Sequence, residues 1–169
     1  MGPEQLRYKL DEVLEAESLL IGHVTYESFA GAWPQRSQRE QRAALDGGRD
    51  EMIGFADKMN AIPKHVVSTT LRNPAWNNSR VINADVAGEV ARLRKQADGP
   101  ILVAGSPTLV HTLIEQDLVD EYRLMIFPVV LGSGRRLFPE TKDKTVLRLA
   151  ETRAFSTGVA VHSYHGAAA

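Results

Sequence analysis

The amino-acid sequence predicts an α/β fold built on a mostly parallel sheet with an antiparallel C-terminal hairpin. Strand patterns and helix patterns alternate through most of the chain, and strand patterns dominate its end. Residues 101–104 form a near-continuous apolar run, which is typical of a parallel strand covered on both faces. The 169 residues contain neither a repeat nor a linker, so we expect one domain, residues 1–169.

The helices are predicted from apolar spacing and from boundary residues. Leu6, Leu10, Val13 and Leu14 recur at helical spacing among charged residues. Thr25 and Asp85 are placed to cap two further helices at their N-termini. The predicted helices cover residues 3–17, 25–30, 55–61 and 86–97, and a fifth begins at Pro107.

The strands are predicted from short apolar or alternating runs bounded by turn residues. They cover residues 18–21, 63–68, 80–83, 101–104, 120–131, 147–155 and 159–164, with 120–131 the longest. The last two are expected to form a hairpin around Ser156-Thr157-Gly158. Residues 33–54 are polar and contain Asp46-Gly47-Gly48, so we expect a mobile loop there with at most a short helix.

Composition excludes several classes of function. The net charge of -1 provides no basic field for nucleic acid or for an anionic membrane, and no apolar run reaches the ~18 residues of a membrane span. The absence of cysteine removes disulfides, thiolate metal sites and cysteine nucleophiles. His162 and His165 are three apart on a predicted strand, so they point to opposite faces and do not form a metal pair. We expect a cytoplasmic protein without a bound metal.

Three predicted strands end in residues that suit an anionic ligand. Gly105-Ser106-Pro107 joins a strand to a helix, and Gly22 to Thr25 does so earlier in the chain. Ser68-Thr69-Thr70 places three hydroxyls after another strand. Each turn alone is as well explained by a capped helix or by ordinary turn residues. Together they favour an extended nucleotide, because the carboxyl ends of parallel strands share one edge of the sheet.

Several segments, in this order along the chain, resemble dihydrofolate reductase family proteins. The bacterial branch that they resemble has domains like the C-terminal domain of the riboflavin-pathway reductase. The segments are residues 20–29 (Leu-Ile-Gly-His-Val-Thr-Tyr-Glu-Ser-Phe), 64–71, 101–106, 118–124 and 128–134. The resemblance runs from about residue 6 to residue 165 and implies a three-layer α/β/α fold.

The resemblance implies an NADPH-dependent reductase that transfers a hydride to a C=N or C=O group of a small heterocyclic substrate. The alternative is a nucleotide-binding domain with little or no turnover. The implied cofactor-binding residues are Gly22, His23, Thr25, Ser68, Thr69, Gly105, Ser106, Thr108 and Leu109. Arg72 is a candidate for recognising the 2′-phosphate, and no catalytic residue is assigned.

The chain departs from the family pattern in four ways: at its start, at Ala104, at His23 and Thr69 where relatives usually carry basic residues, and in the longer segment 33–54. Relatives begin with a strand and a loop ahead of the first helix, whereas this sequence starts almost at the helix. We therefore expect the central sheet to expose an unpaired strand edge. Ala104 stands where riboflavin-pathway reductases usually carry Glu, which argues against that particular substrate. A homodimer through the C-terminal strands is also expected, because residues 122–131 form a long apolar strand pattern.

Overall fold

The computed structural model describes residues 2–45, 54–140 and 144–166. In chain order the described elements are α1 (Pro3–Glu15), β1 (Ser18–Gly22), α2 (His23–Leu45), α3 (Phe55–Ala61), β2 (Lys64–Val67), β3 (Ser79–Ile82), α4 (Val86–Gln96), β4 (Ile101–Val103), α5 (Pro107–Glu115), β5 (Glu121–Ile126), β6 (Leu147–Ala154) and β7 (Ala160–Gly166). No helix in these ranges is long and apolar enough to cross a membrane.

The strands form two sheets rather than the one that the sequence suggested. Four parallel strands pair in the order β3-β2-β1-β4, and three antiparallel strands pair in the order β5-β7-β6. The C-terminal hairpin is confirmed, since β6 and β7 pair along most of their length. The α/β class is also confirmed.

The four-stranded sheet has helices on both faces, as a three-layer fold requires. Successive side chains of a strand point to opposite faces, so Leu19 and Ile21 pack with α1, α2 and α3, whereas Leu20 packs with α4 and α5. All three side chains are at most 1% exposed. Strand β1 is therefore the centre of the parallel sheet.

Helix α1 connects the two sheets. Its Leu10 and Val13 belong to the core of the parallel sheet, while its Tyr8 ring lies 6.0 Å from the Phe155 ring at the C-terminal hairpin. Burial raises the pKa of Tyr8 to about 12. The first helix thus contributes to the core on one face of the parallel sheet and to the core of the C-terminal hairpin.

The expected unpaired edge is confirmed in the part of the chain that the structure describes. There, β4 pairs only with β1, and β5 pairs only with β7. The expectation that β4 is covered on both faces is confirmed, since Leu102 packs in the core with α1 to α3 and Ile101 and Val103 pack in the core with α4 and α5. All three residues nevertheless remain half-buried. An apolar strand that lacks a neighbour on one edge keeps part of its side-chain surface in solvent.

The predicted C-terminal ends of α2 and β5 were wrong. Helix α2 continues through Pro34 to Leu45, where the sequence suggested a loop from residue 33; residues 46–53 lie outside the described ranges. Residues 35–45 are rich in good helix formers, so the helix resumes after Pro34 although this residue has no amide hydrogen for the Ala30 carbonyl. Strand β5 ends at Ile126, so β6, with eight residues, is the longest described strand.

Candidate functional site

The candidate site lies at the carboxyl ends of three neighbouring parallel strands. Strand β1 is flanked by β2 and β4, so their ends adjoin. The chain passes from β1 to β2 and β3 on one side and returns to β4 on the other. Ligands of open α/β sheets bind where the strand order reverses in this way. Helices α2 and α5 begin at this point, directly after β1 and shortly after β4.

Direct hydrogen bonds join the ends of β1 and β4. The Gly22 amide donates to Ser106 Oγ at 2.8 Å, and Thr25 Oγ1 lies 2.7 Å from the same oxygen. Thr25 and Ser106 were both predicted as helix caps. The prediction for Ser106 is confirmed in position, since it is the N-cap residue of α5, whereas the prediction for Thr25 was wrong. Helix α2 starts before Thr25, and Ser106 occupies the cap position of α5 without a side-chain capping bond. Their hydroxyls link the two strand ends instead.

The Gly22 and Gly105 positions leave little room for a side chain. A Cβ atom at Gly22 would lie 3.1 Å from Ser106 Oγ, and one at Gly105 would lie 3.2 Å from Thr25 Oγ1. Gly105 also has φ of 63°, in the left-handed region that glycine adopts without strain. The close approach of the two strand ends therefore depends on glycine.

The ends of β1 and β2 meet through His23. Its Nδ1 lies 3.3 Å from Ser68 Oγ and 3.2 Å from Thr70 Oγ1, and its Nε2 lies 3.2 Å from a Glu27 carboxylate oxygen. Ser68 is buried, and its hydroxyl accepts the amides of Thr70 and Leu71. Ser68 thus shapes the turn after β2, while His23 and Thr70 present polar atoms beside it.

These contacts form two groups of polar side chains, Ser106 with Thr25 and His23 with Ser68 and Thr70, at the ends of neighbouring strands. We call the two groups together the strand-end row. Hydroxyl, imidazole and helix N-terminal amide groups are suited to the oxygens of phosphates and sugars. The three predicted turns are therefore neighbours, and each could contact one extended ligand.

The remaining predicted cofactor residues occupy different positions. Thr69 is exposed after β2, and its carbonyl accepts a hydrogen bond from Arg72. Thr108 is exposed in the first turn of α5. The Leu109 side chain is only 6% exposed and packs in the core between α4, α5 and the sheet. Only the backbone of Leu109 could contact a ligand.

Two residues of this region were not among the implied cofactor-binding residues. Thr70 is the third hydroxyl of the predicted turn and makes the contact with His23 that we did not assign to it. Glu27 follows His23 by four residues, the spacing that places two side chains on one helix face. The sequence predicted a helix over residues 25–30, so His23 and Glu27 were not expected to share a helix face.

The two C-terminal histidines make separate contacts. His162 Nδ1 lies 3.0 Å from Thr152 Oγ1, and His165 Nδ1 lies 3.3 Å from the Asp120 carbonyl oxygen. Across the described ranges, no three histidine or carboxylate side chains group in a way that could hold a metal ion.

Solved structures share this fold at low sequence identity. A Shewanella sp. PV-4 protein, named for riboflavin biosynthesis, superposes with a TM-score of 0.62 at 16% identity, covering 98% of this chain and 79% of the other. A pyrimidine reductase-like protein of Corynebacterium diphtheriae gives a TM-score of 0.51 at 11% identity, covering 89% and 76%. At these identities the likeness establishes the fold.

Curated sequences show closer but shorter matches. The uncharacterized Bacillus subtilis protein YyaP is 41% identical over 102 residues, 60% of this chain and 54% of its own length. The uncharacterized protein YwjB of the same organism is 38% identical over 81 residues, 48% of this chain and 47% of its own. The matched segments thus span about half of each relative. The family model of the RibD C-terminal domain matches residues 1–161. The chain therefore belongs to the RibD C-terminal domain family.

Proposed function

We propose that this chain is an NADPH-dependent reductase that transfers a hydride to a C=N or C=O group of a small heterocyclic substrate. The observation that carries the proposal is the contact between Thr25 Oγ1 and Ser106 Oγ, 2.7 Å apart, where α2 and α5 begin beside adjacent parallel strands. Free amides at two neighbouring helix N-termini stabilise an anionic group placed between them. A dinucleotide pyrophosphate is such a group.

The donor set of the strand-end row fits a nicotinamide dinucleotide. Thr25, Ser106 and the first amides of α5 would hold the pyrophosphate, and Thr69 and Thr70 would face the adenosine ribose. Arg72 donates to the carbonyls of Thr69 and Leu71, so its guanidinium lies over the turn where a 2′-phosphate would bind. The bound cofactor supplies the hydride, and the chain binds and orients it.

Family membership and the names of the structural neighbours support reduction as the reaction. One neighbour is named for riboflavin biosynthesis and the other as pyrimidine reductase-like, and both names point toward nitrogen heterocycles. Ala104 provides no polar group at the end of β4, so this chain differs there from the pattern of riboflavin-pathway reductases. We therefore propose the reaction class and leave the heterocycle open.

Thr25→Val is expected to weaken NADPH binding about tenfold. The substitution removes the hydroxyl nearest Ser106, and one hydrogen bond to a charged ligand contributes roughly 1.5 kcal/mol. Titration of the fluorescence of NADPH, with NADH in parallel, measures the affinity. The matched control is Thr152→Val, on β6 and away from the strand-end row, for which we expect no change.

Equal NADPH affinities of the Thr25→Val variant and the unsubstituted protein would contradict the proposed cofactor site. Incubation with NADPH and a panel of pteridines, quinones and pyrimidine derivatives then tests the reaction. Cofactor oxidation supports the reductase. Tight binding without oxidation of any compound supports the alternative, a nucleotide-binding domain with little or no turnover.

We also propose a homodimer formed through the C-terminal sheet. Apolar side chains are exposed at the end of β5 and just after it: Ile126 is 52% exposed, Val129 64%, Val130 97% and Leu131 81%. Adjoining exposed apolar residues mark association surfaces. Sedimentation equilibrium is expected to give twice the chain mass, and Val130→Lys with Leu131→Lys should give the chain mass. A monomeric unsubstituted protein would refute the dimer.

A further inference from the structure

His23 occupies a position where two strand ends, a helix start and a carboxylate meet. It is the first residue of α2, directly after β1, and its side chain is 32% exposed, so a ligand can reach the imidazole. Its Nδ1 lies beside the hydroxyls of Ser68 and Thr70, whereas its Nε2 lies 3.2 Å from a carboxylate oxygen of Glu27. Both ring nitrogens therefore have partners within the protein.

The partners of the two nitrogens assign the neutral form of His23. Ser68 Oγ accepts the amides of Thr70 at 3.2 Å and Leu71 at 2.9 Å, which occupy both of its lone pairs. Its remaining hydrogen can be donated to Nδ1, which lies 3.3 Å away. The neutral imidazole thus accepts at Nδ1 and carries its proton on Nε2, where the Glu27 carboxylate accepts it.

The same contacts accommodate the protonated ring. A second proton, on Nδ1, can be donated to Thr70 Oγ1, 3.2 Å away, because a hydroxyl oxygen has lone pairs that accept it. Imidazole side chains exchange this proton between about pH 5 and pH 8. The pair of His23 and Glu27 is therefore neutral at the acidic end of this range and carries one negative charge at the other end.

Among the described residues, the elements next to the imidazole carry few other charges. The guanidinium of Arg72 donates to two carbonyls of the turn after β2. Asp85, after β3, accepts an amide of the first turn of α4. Residues 104–110, at the end of β4 and in the first turn of α5, carry no charge. The turn after β2 is thus flanked by one permanent cation, Arg72, and by the pair of His23 and Glu27.

We propose that protonation of His23 determines the preference of the cofactor site for a 2′-phosphorylated dinucleotide over the unphosphorylated form. The inference rests on the proposed function, which assigns the 2′-phosphate to this turn. Protonated His23 cancels the negative charge of Glu27, and Thr70, which then accepts from Nδ1, donates its own hydroxyl hydrogen to the phosphate. When His23 is neutral, the carboxylate repels the phosphate and Arg72 alone attracts it. The preference therefore falls as pH rises through the histidine range.

Calorimetric titration with NADP⁺ and with NAD⁺, at about pH 6 and about pH 8, tests this inference. The measured quantity is the ratio of the two affinities in the unsubstituted protein, divided by the same ratio in His23→Gln. This variant keeps the titration of the 2′-phosphate itself but cannot gain the positive charge, so the comparison removes the pH dependence of the ligand. We expect the divided ratio to be about tenfold higher at the lower pH, in favour of NADP⁺.

Two further variants separate the charges. His23→Arg carries a positive charge at both pH values, so its preference for NADP⁺ should persist at the higher pH. Glu27→Gln removes the repelling carboxylate, so it should raise the NADP⁺ preference at the higher pH. The matched control is His162→Gln on β7, which replaces a histidine outside the strand-end row and should keep the pH dependence of the unsubstituted protein.

The same pH dependence of the affinity ratio in the unsubstituted protein and in His23→Gln would overturn the inference and leave the cofactor site intact. An equal loss of pH dependence in His162→Gln would also overturn it, because the effect would then not belong to His23. If neither dinucleotide binds at either pH, the proposed function is contradicted, and this inference with it. The two failures are therefore distinguishable.

Discussion

Lys64→Met is expected to lower the free energy of unfolding by roughly 3–5 kcal/mol. The Lys64 side chain is 1% exposed, and its ammonium group donates to the carbonyls of Asn60 at 2.9 Å, Ile62 at 2.7 Å and Asn77 at 2.9 Å. Its Nζ also lies 4.3 Å from the centre of the Trp76 ring. Methionine has a similar length but donates nothing, so three carbonyls would lose a partner.

The position of these carbonyls explains why the effect is large. Asn60 lies in α3, Ile62 follows it, and Asn77 lies shortly before β3. The ammonium group of Lys64, the first residue of β2, therefore links this strand to the end of α3 and to the segment just before β3. Urea denaturation followed by tryptophan fluorescence measures the change. Lys95→Met on exposed α4 is the control, and a loss below about 1 kcal/mol at Lys64 would contradict this account.

The difference in unfolding free energy between the unsubstituted protein and Lys64→Met is expected to depend on pH. Burial lowers the pKa of Lys64 from 10.5 to about 8, so the folded chain releases this proton before the unfolded chain does. Between about pH 8 and pH 10.5 the unfolded state binds more protons at Lys64 than the folded state does. The contribution of Lys64 to the free energy of unfolding therefore rises with pH in this range. The stability difference between the unsubstituted protein and Lys64→Met should therefore grow from pH 8 toward pH 10.5. A flat difference would show that Lys64 keeps an ordinary pKa.

Gly105→Val is the second substitution with a large expected effect, on cofactor affinity. Gly105 has φ of 63°, which a β-branched residue adopts only with strain of roughly 1–2 kcal/mol, and its new Cβ would lie 3.2 Å from Thr25 Oγ1. Moving Thr25 or the turn away separates the two helix N-termini. We expect at least about a tenfold loss of NADPH affinity.

The control for this substitution is Gly166→Val, at the end of β7, where a Cβ meets nothing within 4 Å. Fluorescence titration of NADPH compares the two variants, and circular dichroism confirms that both are folded. An affinity of Gly105→Val within about twofold of the unsubstituted protein would show that the turn does not contact the cofactor. The result would then contradict the proposed cofactor site.

Local sequence patterns predicted most helices and strands, but they failed where contacts with residues far along the chain determine the structure. Asp85 was correctly identified as a cap, since its Oδ1 accepts the Gly88 amide. Residues 127–131 were predicted as strand because they are apolar, yet no described strand pairs with them and Pro128 lacks an amide hydrogen. Whether an apolar run becomes a strand depends on a partner elsewhere in the chain, which composition does not specify.

The candidate site, too, was predicted from the sequence only in part. The glycine and hydroxyl residues at three strand ends were identified from the sequence, because these residue types are common in turns. That Ser106 contacts Thr25, 81 residues earlier, and His23 contacts Ser68, 45 residues later, could not be derived from spacing.

The sequence by itself determined the α/β class, the approximate position of most helices and strands, and the residue types at the strand ends. Helical and strand periodicity are local properties, so they can be read along the chain. The tertiary structure alone decided that the strands form two sheets, which strand carries the expected unpaired edge, and that Lys64 is buried among carbonyls. These features depend on pairing and packing between distant segments, whose free energy is not contained in any one stretch of sequence.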